Sequence, residues 1–333
     1  MNADLIHETA KAYALDPREE TLETATMTAL PLSYAIAARF SGRGIDLRDS
    51  AAGFLFILPN FTGFLIFTLL PVCAAFALAF YKWDILTAPE FIGFGNFTRL
   101  FSDKAFWNAF YNTVVLMTGI PLSMAASLFL ATMVNRSLRG IIIYRTLYFF
   151  PSICSGIGLL LLWRWIYNPD FGLLNVLLSY VGIDGPNWLG SMFWAKPALI
   201  FMGIWTGMGG TNMILYLAAL QGVNPELYEA ADMDGASNWR KFYHITLPMI
   251  SPTTFFIFTM SIIAGFQGSF DSVFIMTGGG PAGSTTNLSF HIYRNAYELF
   301  NMGYASSMAL VLFAIVLVAT LINWKYGGKK VTY

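Results

Sequence analysis

Few residues in this 333-residue chain are of types and spacings that could carry out chemistry. His7, His244 and His291 lie far apart in the sequence, which indicates neither a metal cluster nor a catalytic triad. The segment GGGPAGST, Gly278 to Thr285, nearly fits the phosphate-binding pattern G-x-x-x-x-G-K-[ST], but Ser284 stands where the lysine is required. We interpret this segment as a glycine-rich turn, and the sequence indicates no enzymatic site.

The remaining candidate for chemistry is the polar stretch EAADMDGASNWRKFYHITLP, Glu229 to Pro248, which lies between two long apolar segments. Its carboxylates could accept charge-assisted hydrogen bonds from another protein. Asn224 and Pro225 just before it are a favourable cap and first residue for a helix. Gly235 predicts the end of that helix, because glycine readily adopts the left-handed conformation of a helix C-terminus.

A second short helix is predicted from Ser237 to about Thr246, with Pro248 ending it before the next apolar segment. At helical spacing the first helix presents an acidic face, formed by Glu226, Glu229 and Asp232. The sequence thus predicts a rigid hairpin of two helices. On physical grounds alone, a solvated hairpin without a binding role is an equally good interpretation.

The rest of the chain consists largely of apolar runs. It is 56% hydrophobic and 11% charged, with a mean hydropathy of +0.58, whereas soluble domains carry about 25% charge. A bilayer core requires about 20 apolar residues in a helix. Six runs without Asp, Glu, Lys or Arg have about that length, at 53–80, 110–134, 146–163, 197–220, 249–270 and 303–324. The sequence predicts an all-α, polytopic membrane protein with six transmembrane helices.

Positive residues concentrate before the first span, after the second and fourth spans, and after the sixth. By the positive-inside rule, these segments and both termini are cytoplasmic. We therefore divide the chain into a tail at 1–48, a membrane domain at 49–326 with a cytoplasmic loop at 221–248, and a tail at 327–333. The apolar run at 171–181 is too short to span and predicts an interfacial helix on the outer face. A net charge of zero gives no basic surface for nucleic acid.

The predicted spans contain no ionisable residue in their cores. A carrier driven by protons or sodium usually needs such residues, so a secondary transporter is disfavoured but stays open as an alternative. Asp271, at the outer edge of the fifth span, is the nearest candidate. A membrane enzyme would need an acid, a base or metal ligands in one place, and no such set is visible. Energy would then have to enter from another protein, at the polar loop.

Several segments resemble one family of transport proteins. The run E-A-A-x-x-D-G-A-S followed by I-T-L-P is similar to the EAA motif in the permease subunits of binding-protein-dependent ABC importers. EFIGFGNFTRLFSDKAFWNAFYNT, WRWIYNPDFGLLN and MTGGGPAGSTT resemble the sugar-permease branch, in its MalF-like and UgpA-like members. The resemblance covers roughly residues 50–326 and leaves the tail at 1–48 without an assigned role. It implies the type I ABC importer permease fold.

This resemblance also implies partners and a location. The chain would lie in a bacterial-type plasma membrane and pair with a second, homologous permease. It would bind two cytosolic ATPase subunits, which hold ATP and Mg while this chain binds no cofactor, and would receive a sugar from an extracytoplasmic solute-binding protein. In the family the EAA helix docks on the ATPase, and the residues to which we carry this coupling role are Glu229, Ala230, Ala231, Asp232 and Gly235.

Candidate substrate contacts lie in the fourth and fifth spans, where aromatic and neutral polar residues occur together. They are Trp205, Thr206, Gly207, Asn212, Phe266, Gln267, Ser269 and Phe270. By resemblance, Trp205, Gly207 and Ser269 match positions that line the site of maltose-type permeases. The expected cargo is a carbohydrate or polyol. Glycerol phosphate or another small solute is the alternative, although a phosphate would favour Arg or Lys in the cavity and the spans contain neither.

Overall fold

The structure is a computed structural model that describes residues 47–135, 140–267 and 269–327. The tail predicted at 1–48 therefore lies almost wholly outside the described residues, as does 328–333. The chain divides into two units, residues 1–72 and 73–333. Helices account for nearly all of the described secondary structure, which confirms the predicted all-α class.

The described part of the first unit is helical. Helix α1 (Leu47–Phe64) leads into a π-helical turn (Leu65–Leu69), and α2 (Leu70–Leu78) then continues into the second unit. Pro71 is the second residue after the π-helical turn, and its missing N–H cannot bond to the carbonyl four residues earlier. Gly53–Leu78 is an apolar helical run of 26 residues, long enough to cross a bilayer.

The second unit begins with a short antiparallel ribbon of β1 (Tyr81–Lys82) and β2 (Glu90–Phe91). The helices that follow are α3 (Gly95–Ser102), α4 (Lys104–Met117), α5 (Gly119–Val134), α6 (Ile141–Ile153), α7 (Gly156–Ile166), α8 (Leu173–Ser179), α9 (Ala195–Met208) and α10 (Thr211–Gln221). The remaining helices are α11 (Pro225–Met233), α12 (Asn238–Lys241), α13 (Leu247–Met249), α14 (Ser251–Gln267), α15 (Phe270–Met276), α16 (Leu288–Tyr293) and α17 (Met302–Gly327). Two further π-helical turns occupy Phe242–Thr246 and Arg294–Glu298.

Six spans are present if each bent helix pair is counted as one. Three helical runs are continuous, at Gly53–Leu78, Lys104–Val134 and Met302–Lys325. The other three are broken. The bend is 98° between α6 and α7, 43° between α9 and α10, and 64° between α13 and α14. The 43° bend falls at the glycine pair Gly209–Gly210, whereas the 98° bend at Cys154–Ser155 was not predicted.

The core of the second unit forms around these broken helices. Helix α5 packs along both α9 and α10, and α14 packs against α5 and α17. One buried cluster joins Met124 of α5, Tyr216 of α10 and Ile257 of α14. Another joins Trp163 of α7 with Met202 of α9, beside α15. These contacts fix the walls of the cavity described below.

The glycine-rich segment at 278–285 is a folded turn held by α4. The Asn112 amide donates to the Gly283 and Thr286 carbonyl oxygens at 3.0 and 2.9 Å. The Thr113 hydroxyl accepts a hydrogen bond of 2.9 Å from the Leu288 N–H, at the start of α16. Buried backbone groups in a loop require such partners. These contacts are consistent with the structural interpretation of this segment.

Candidate coupling hairpin and intramembrane cavity

The first arm of the polar hairpin is α11, and both of its ends are capped as the sequence indicates. The Asn224 side chain accepts a 3.0 Å hydrogen bond from the Glu226 N–H. At the other end Gly235 has a φ of +70°. The N–H groups of Gly235 and Ala236 donate to the carbonyls of Asp232 and Ala231, at 3.0 and 2.9 Å. This pair of bonds is the Schellman termination, which fixes the direction in which the chain leaves the helix.

The second arm is longer than predicted. Ser237 caps α12, and the helical path continues through the π-helical turn Phe242–Thr246 into α13. Pro248 does not end this path, so that expectation was wrong. Proline lies in the first turn of α13, a position that tolerates its missing N–H, and the break comes instead at Ile250.

Two contacts tie the arms together. The Lys241 ammonium lies 2.6 Å from the Asp232 carboxylate, and the Tyr228 and Thr246 hydroxyls are 2.9 Å apart. Lys241 is the less exposed partner of the ion pair, with a side chain 17% exposed against 58% for Asp232. Asp232 is thus engaged within the hairpin, whereas the sequence suggested a surface that contacts another protein. The arms form one braced body rather than two independent helices.

The exposed face of α11 carries small side chains and the carboxylate of Glu229, which the rest of the hairpin does not engage. Glu229 and Ala230 are exposed and Ala231 is half-buried. Within the described part of the chain, no hydrogen bond or ion pair engages the Glu229 carboxylate. The small side chains of Ala230 and Ala231 next to this acid would let the helix lie close in a groove that offers a hydrogen-bond donor.

An aromatic pair on the second arm was missed in the sequence. Trp239, 70% exposed, stacks on Tyr243 with ring centroids 5.8 Å apart and an interplanar angle of 19°. Residues four apart share one side of a helix, so the W-x-x-x-Y spacing was the available signal. Exposed aromatic pairs are common anchors of protein interfaces.

A cavity of about 530 Å³ lies among α4, α5, α7, α9, α10, α14 and α15. Four of the eight predicted substrate residues line it, namely Thr206, Gly207, Asn212 and Ser269. Thr206 and Gly207 lie just before the break between α9 and α10, and Asn212 lies just after it. The break therefore turns both helix ends toward the same space.

The other four predicted residues do not line this cavity. Trp205 packs on Trp163, with centroids 5.3 Å apart, and lines a separate cavity of about 340 Å³. Phe266 is buried, and the Phe270 ring stacks on Phe274 at 5.4 Å. Gln267 is exposed but lies outside the lining. For Trp205 and Phe270, a neighbouring ring takes the place that we expected for a sugar.

The cavity lining includes polar residues that the sequence did not single out as substrate contacts. Ser123 of α5, Ser261 of α14, and Asp271 and Ser272 of α15 all line it. Among the residues that the structure describes, Asp271 is the one charged residue in the lining. Only the packing of bent helices reveals this set, because its members come from three separate helices.

A charged group outside the spans holds the start of α4 to α17. Burial opposes ionisation of Asp103, but hydrogen bonds donated by the Tyr304 hydroxyl at 2.6 Å and the Ala105 N–H at 2.8 Å outweigh it and lower the pKa of this carboxyl group. For the nearby His291, burial lowers the pKa, because it disfavours the charged imidazolium. The Arg99 guanidinium lies 4.3 Å from the centre of the Tyr304 ring. Together these contacts hold α3 and the start of α4 against the start of α17.

Broken apolar helices around a cavity, with a braced polar hairpin at one end, define a membrane transport subunit. Residues 92–326 match the family described as binding-protein-dependent transport system inner membrane component, and the chain belongs to this family. The resemblance inferred from the EAA-like run is thereby confirmed at the level of the family: the chain is an ABC permease subunit.

Individual relatives cover most of the chain. It is 37% identical over 291 residues to the probable ABC transporter permease protein YesP of Bacillus subtilis, covering 86% of this chain and 93% of the relative. It is 33% identical to the trehalose/maltose transport system permease protein MalF of Thermococcus litoralis, covering 85% and 96%. Among solved structures, a bacterial alginate ABC transporter in complex with an alginate pentasaccharide-bound periplasmic protein matches with a TM-score of 0.75 and 27% identity, covering 86% and 98%.

Proposed function

We propose that this chain is one permease subunit of an ATP-driven importer that moves a carbohydrate across a bacterial-type plasma membrane. A solute-binding protein delivers the cargo, and a second homologous permease completes the pathway. Support comes from the family, from a relative named for trehalose and maltose, and from a solved relative that imports an acidic polysaccharide. Both termini lie on the cytoplasmic side, as the distribution of Arg and Lys indicates.

The braced hairpin is the observation that carries the proposal. In it, Glu229, Ala230 and Ala231 face the ATPase, and Gly235 sets the angle of the second arm. Asp232 takes part indirectly, by holding Lys241 and thereby the two arms. Two cytosolic ATPase subunits bind ATP and Mg, and their closure moves the hairpin as a unit.

The cavity favours a neutral polyhydroxylated cargo. Serine, threonine and asparagine side chains in its lining can exchange hydrogen bonds with sugar hydroxyls. A volume of about 530 Å³ lies within the range of small-molecule sites. Glycerol phosphate is less well supported, since no Arg or Lys lines the cavity in the described part of the chain. A secondary carrier is less well supported, because it has no ATPase to which the exposed Glu229 carboxylate could bind.

The test is co-expression of the chain with its binding protein, partner permease and ATPase, followed by reconstitution into liposomes. Wild-type complex should co-purify with the ATPase and take up labelled carbohydrate. Glu229→Lys should still insert but weaken ATPase binding about 10- to 100-fold, because it replaces a charge-assisted hydrogen bond with a repulsive charge.

Glu90→Lys is the matched control, since Glu90 is also an exposed acid but lies on β2. Glu90 and the hairpin lie at opposite ends of α17. The ribbon that carries Glu90 packs at the end with Gly303, whereas Phe255 of α14, close to the hairpin, packs at the end with Gly327. Normal ATPase binding and uptake by Glu229→Lys would refute the coupling role. Failure of the wild-type chain to co-purify with any ATPase would refute the proposed function itself.

A further inference from the structure

Within the described part of the chain, one residue, Asp271, gives the cavity its charge. Asp271 lies in the first turn of α15, beyond the end of α14, and is exposed. Helix α14 has 17 residues, which corresponds to about 25 Å at 1.5 Å per residue. Asp271 is therefore at the far end of the cavity from the coupling hairpin.

Some polar side chains around Asp271 already form hydrogen bonds within the protein, and others do not. The Ser269 and Ser272 hydroxyls donate to backbone carbonyls, at 3.3 and 3.0 Å. By contrast, within the described residues the Asp271 carboxylate, the Asn212 amide and the Ser261 hydroxyl have no hydrogen-bond partner. These three side chains come from different helices, and all present unengaged polar atoms to one space.

A nearby cation does not neutralise the carboxylate. Helix α7 packs against α15 and carries Arg164, but its guanidinium donates to the Ile275 carbonyl oxygen at 3.3 Å. No salt bridge involves Asp271 in the described part of the chain, and no Arg, Lys or His lines the cavity there. The negative charge of Asp271 therefore acts on whatever enters.

We propose that Asp271 determines the charge selectivity of the cavity, which accepts neutral polyhydroxylated solutes and cations and rejects solutes that bear a carboxylate or phosphate. As an acceptor, the carboxylate also orients sugar hydroxyls, together with Asn212 and Ser261. As a specificity determinant for cargo, this role rests on the proposed function. The electrostatic effect itself can be measured without knowing the cargo.

The experiment uses reporter cysteines in the detergent-solubilised complex, where reagents have access to both sides of the membrane domain. Cys73 and Cys154 are first changed to serine, and a single cysteine is introduced as Ser261→Cys or, separately, Thr206→Cys. The reaction rates are then compared for a cationic reagent, 2-(trimethylammonium)ethyl methanethiosulfonate, and an anionic one, 2-sulfonatoethyl methanethiosulfonate. The ratio of the two rates reports the local potential.

With Asp271 present, the cationic reagent should react faster. Asp271→Asn should lower the cation-to-anion ratio about tenfold, the effect expected for one charge at roughly 8 Å with an effective dielectric constant between about 20 and 80. Asp271→Lys should invert the preference, and Asp271→Glu should keep it. Asp170→Asn is the control, because Asp170 is an exposed acid in the loop after α7 that does not line the cavity.

An unchanged ratio in Asp271→Asn would overturn the inference. Lack of reaction with both reagents at both reporter positions would overturn it as well, because the cavity would then be closed to solutes. The outcome is separable from the proposed function. If the wild-type complex takes up no carbohydrate but the ratio changes as expected, the proposed cargo is wrong and the role of Asp271 stands.

Discussion

The bend between α9 and α10 gives the sharpest stability prediction, at Gly209. A Cβ atom added at Gly209 would overlap the Tyr148 carbonyl oxygen and lie 3.1 Å from the carbonyl carbon. The obstacle is backbone of α6, so no side-chain rotation can relieve it. At the next position, a Cβ on Gly210 would meet the Ser152 Cβ at 3.3 Å. Helix α6 thus crosses directly over the glycine pair.

The magnitude follows from this close approach. For Gly209→Ala to fit, α6 must move away by about 1 Å, and overpacking of this kind costs about 1–3 kcal/mol. Gly203 provides a control in the same helix, because no atom lies within 4 Å of a Cβ added there. Gly203→Ala should instead stabilise the helix by up to about 1 kcal/mol, since alanine is the better helix former.

The assay is the thermal unfolding of the purified complex, followed by loss of monodisperse protein on heating. Gly209→Ala should unfold about 2–12 °C below wild type, at roughly 2–4 °C per kcal/mol for a large chain. Gly203→Ala should unfold at or above the wild-type temperature. If Gly209→Ala were as stable as Gly203→Ala, the close contact between α6 and the break would not exist as described.

Two further predictions concern polar contacts. In a double-mutant cycle of Asp232→Asn and Lys241→Gln, the coupling free energy should be about 0.5–1 kcal/mol, because the ion pair is partly exposed; additive effects on thermal stability would contradict the bracing role. For Asp103, the pKa in the folded protein lies below its usual value of 3.8, so its stabilising contribution is complete above about pH 4 and is lost as the pH falls through the folded pKa. Unfolding temperatures measured between pH 6 and 2 should therefore fall less steeply for Asp103→Asn than for wild type, and parallel curves would refute this.

The hairpin could be predicted in detail because its signals are local. Asn224 and Gly235 each act through backbone groups within a few residues, and both do so in the structure. The error at Pro248 also comes from a local signal, but one that has two meanings. A proline ends a helix that precedes it but also fits the first turn of one that follows, and the sequence alone does not separate the two cases.

The cavity could be predicted only in part because it depends on helix bends. Small and polar residues next to the glycine pair, such as Gly207 and Asn212, do line it. Trp205 does not, since a large ring in a helix gains more by packing on another ring than by facing a cavity. The contribution of α7 depends on the 98° bend at Cys154–Ser155, where the sequence has no glycine pair or proline at the break itself.

The hairpin and the cavity are joined by a helical path that bends by 64° at Ile250. Thr246 receives the Tyr228 contact from the first arm, and its carbonyl accepts a 3.0 Å hydrogen bond from the buried Ile250 at the bend. The Thr254 N–H then donates to the Ile250 carbonyl at 2.9 Å, so the bend is hydrogen-bonded on both sides. A displacement of the hairpin must therefore reach Ser261, in the cavity wall, unless these bonds break. The proposed coupling and selectivity roles lie at opposite ends of this path, so Glu229→Lys should weaken ATPase binding without changing charge preference, and Asp271→Asn should change charge preference without weakening ATPase binding.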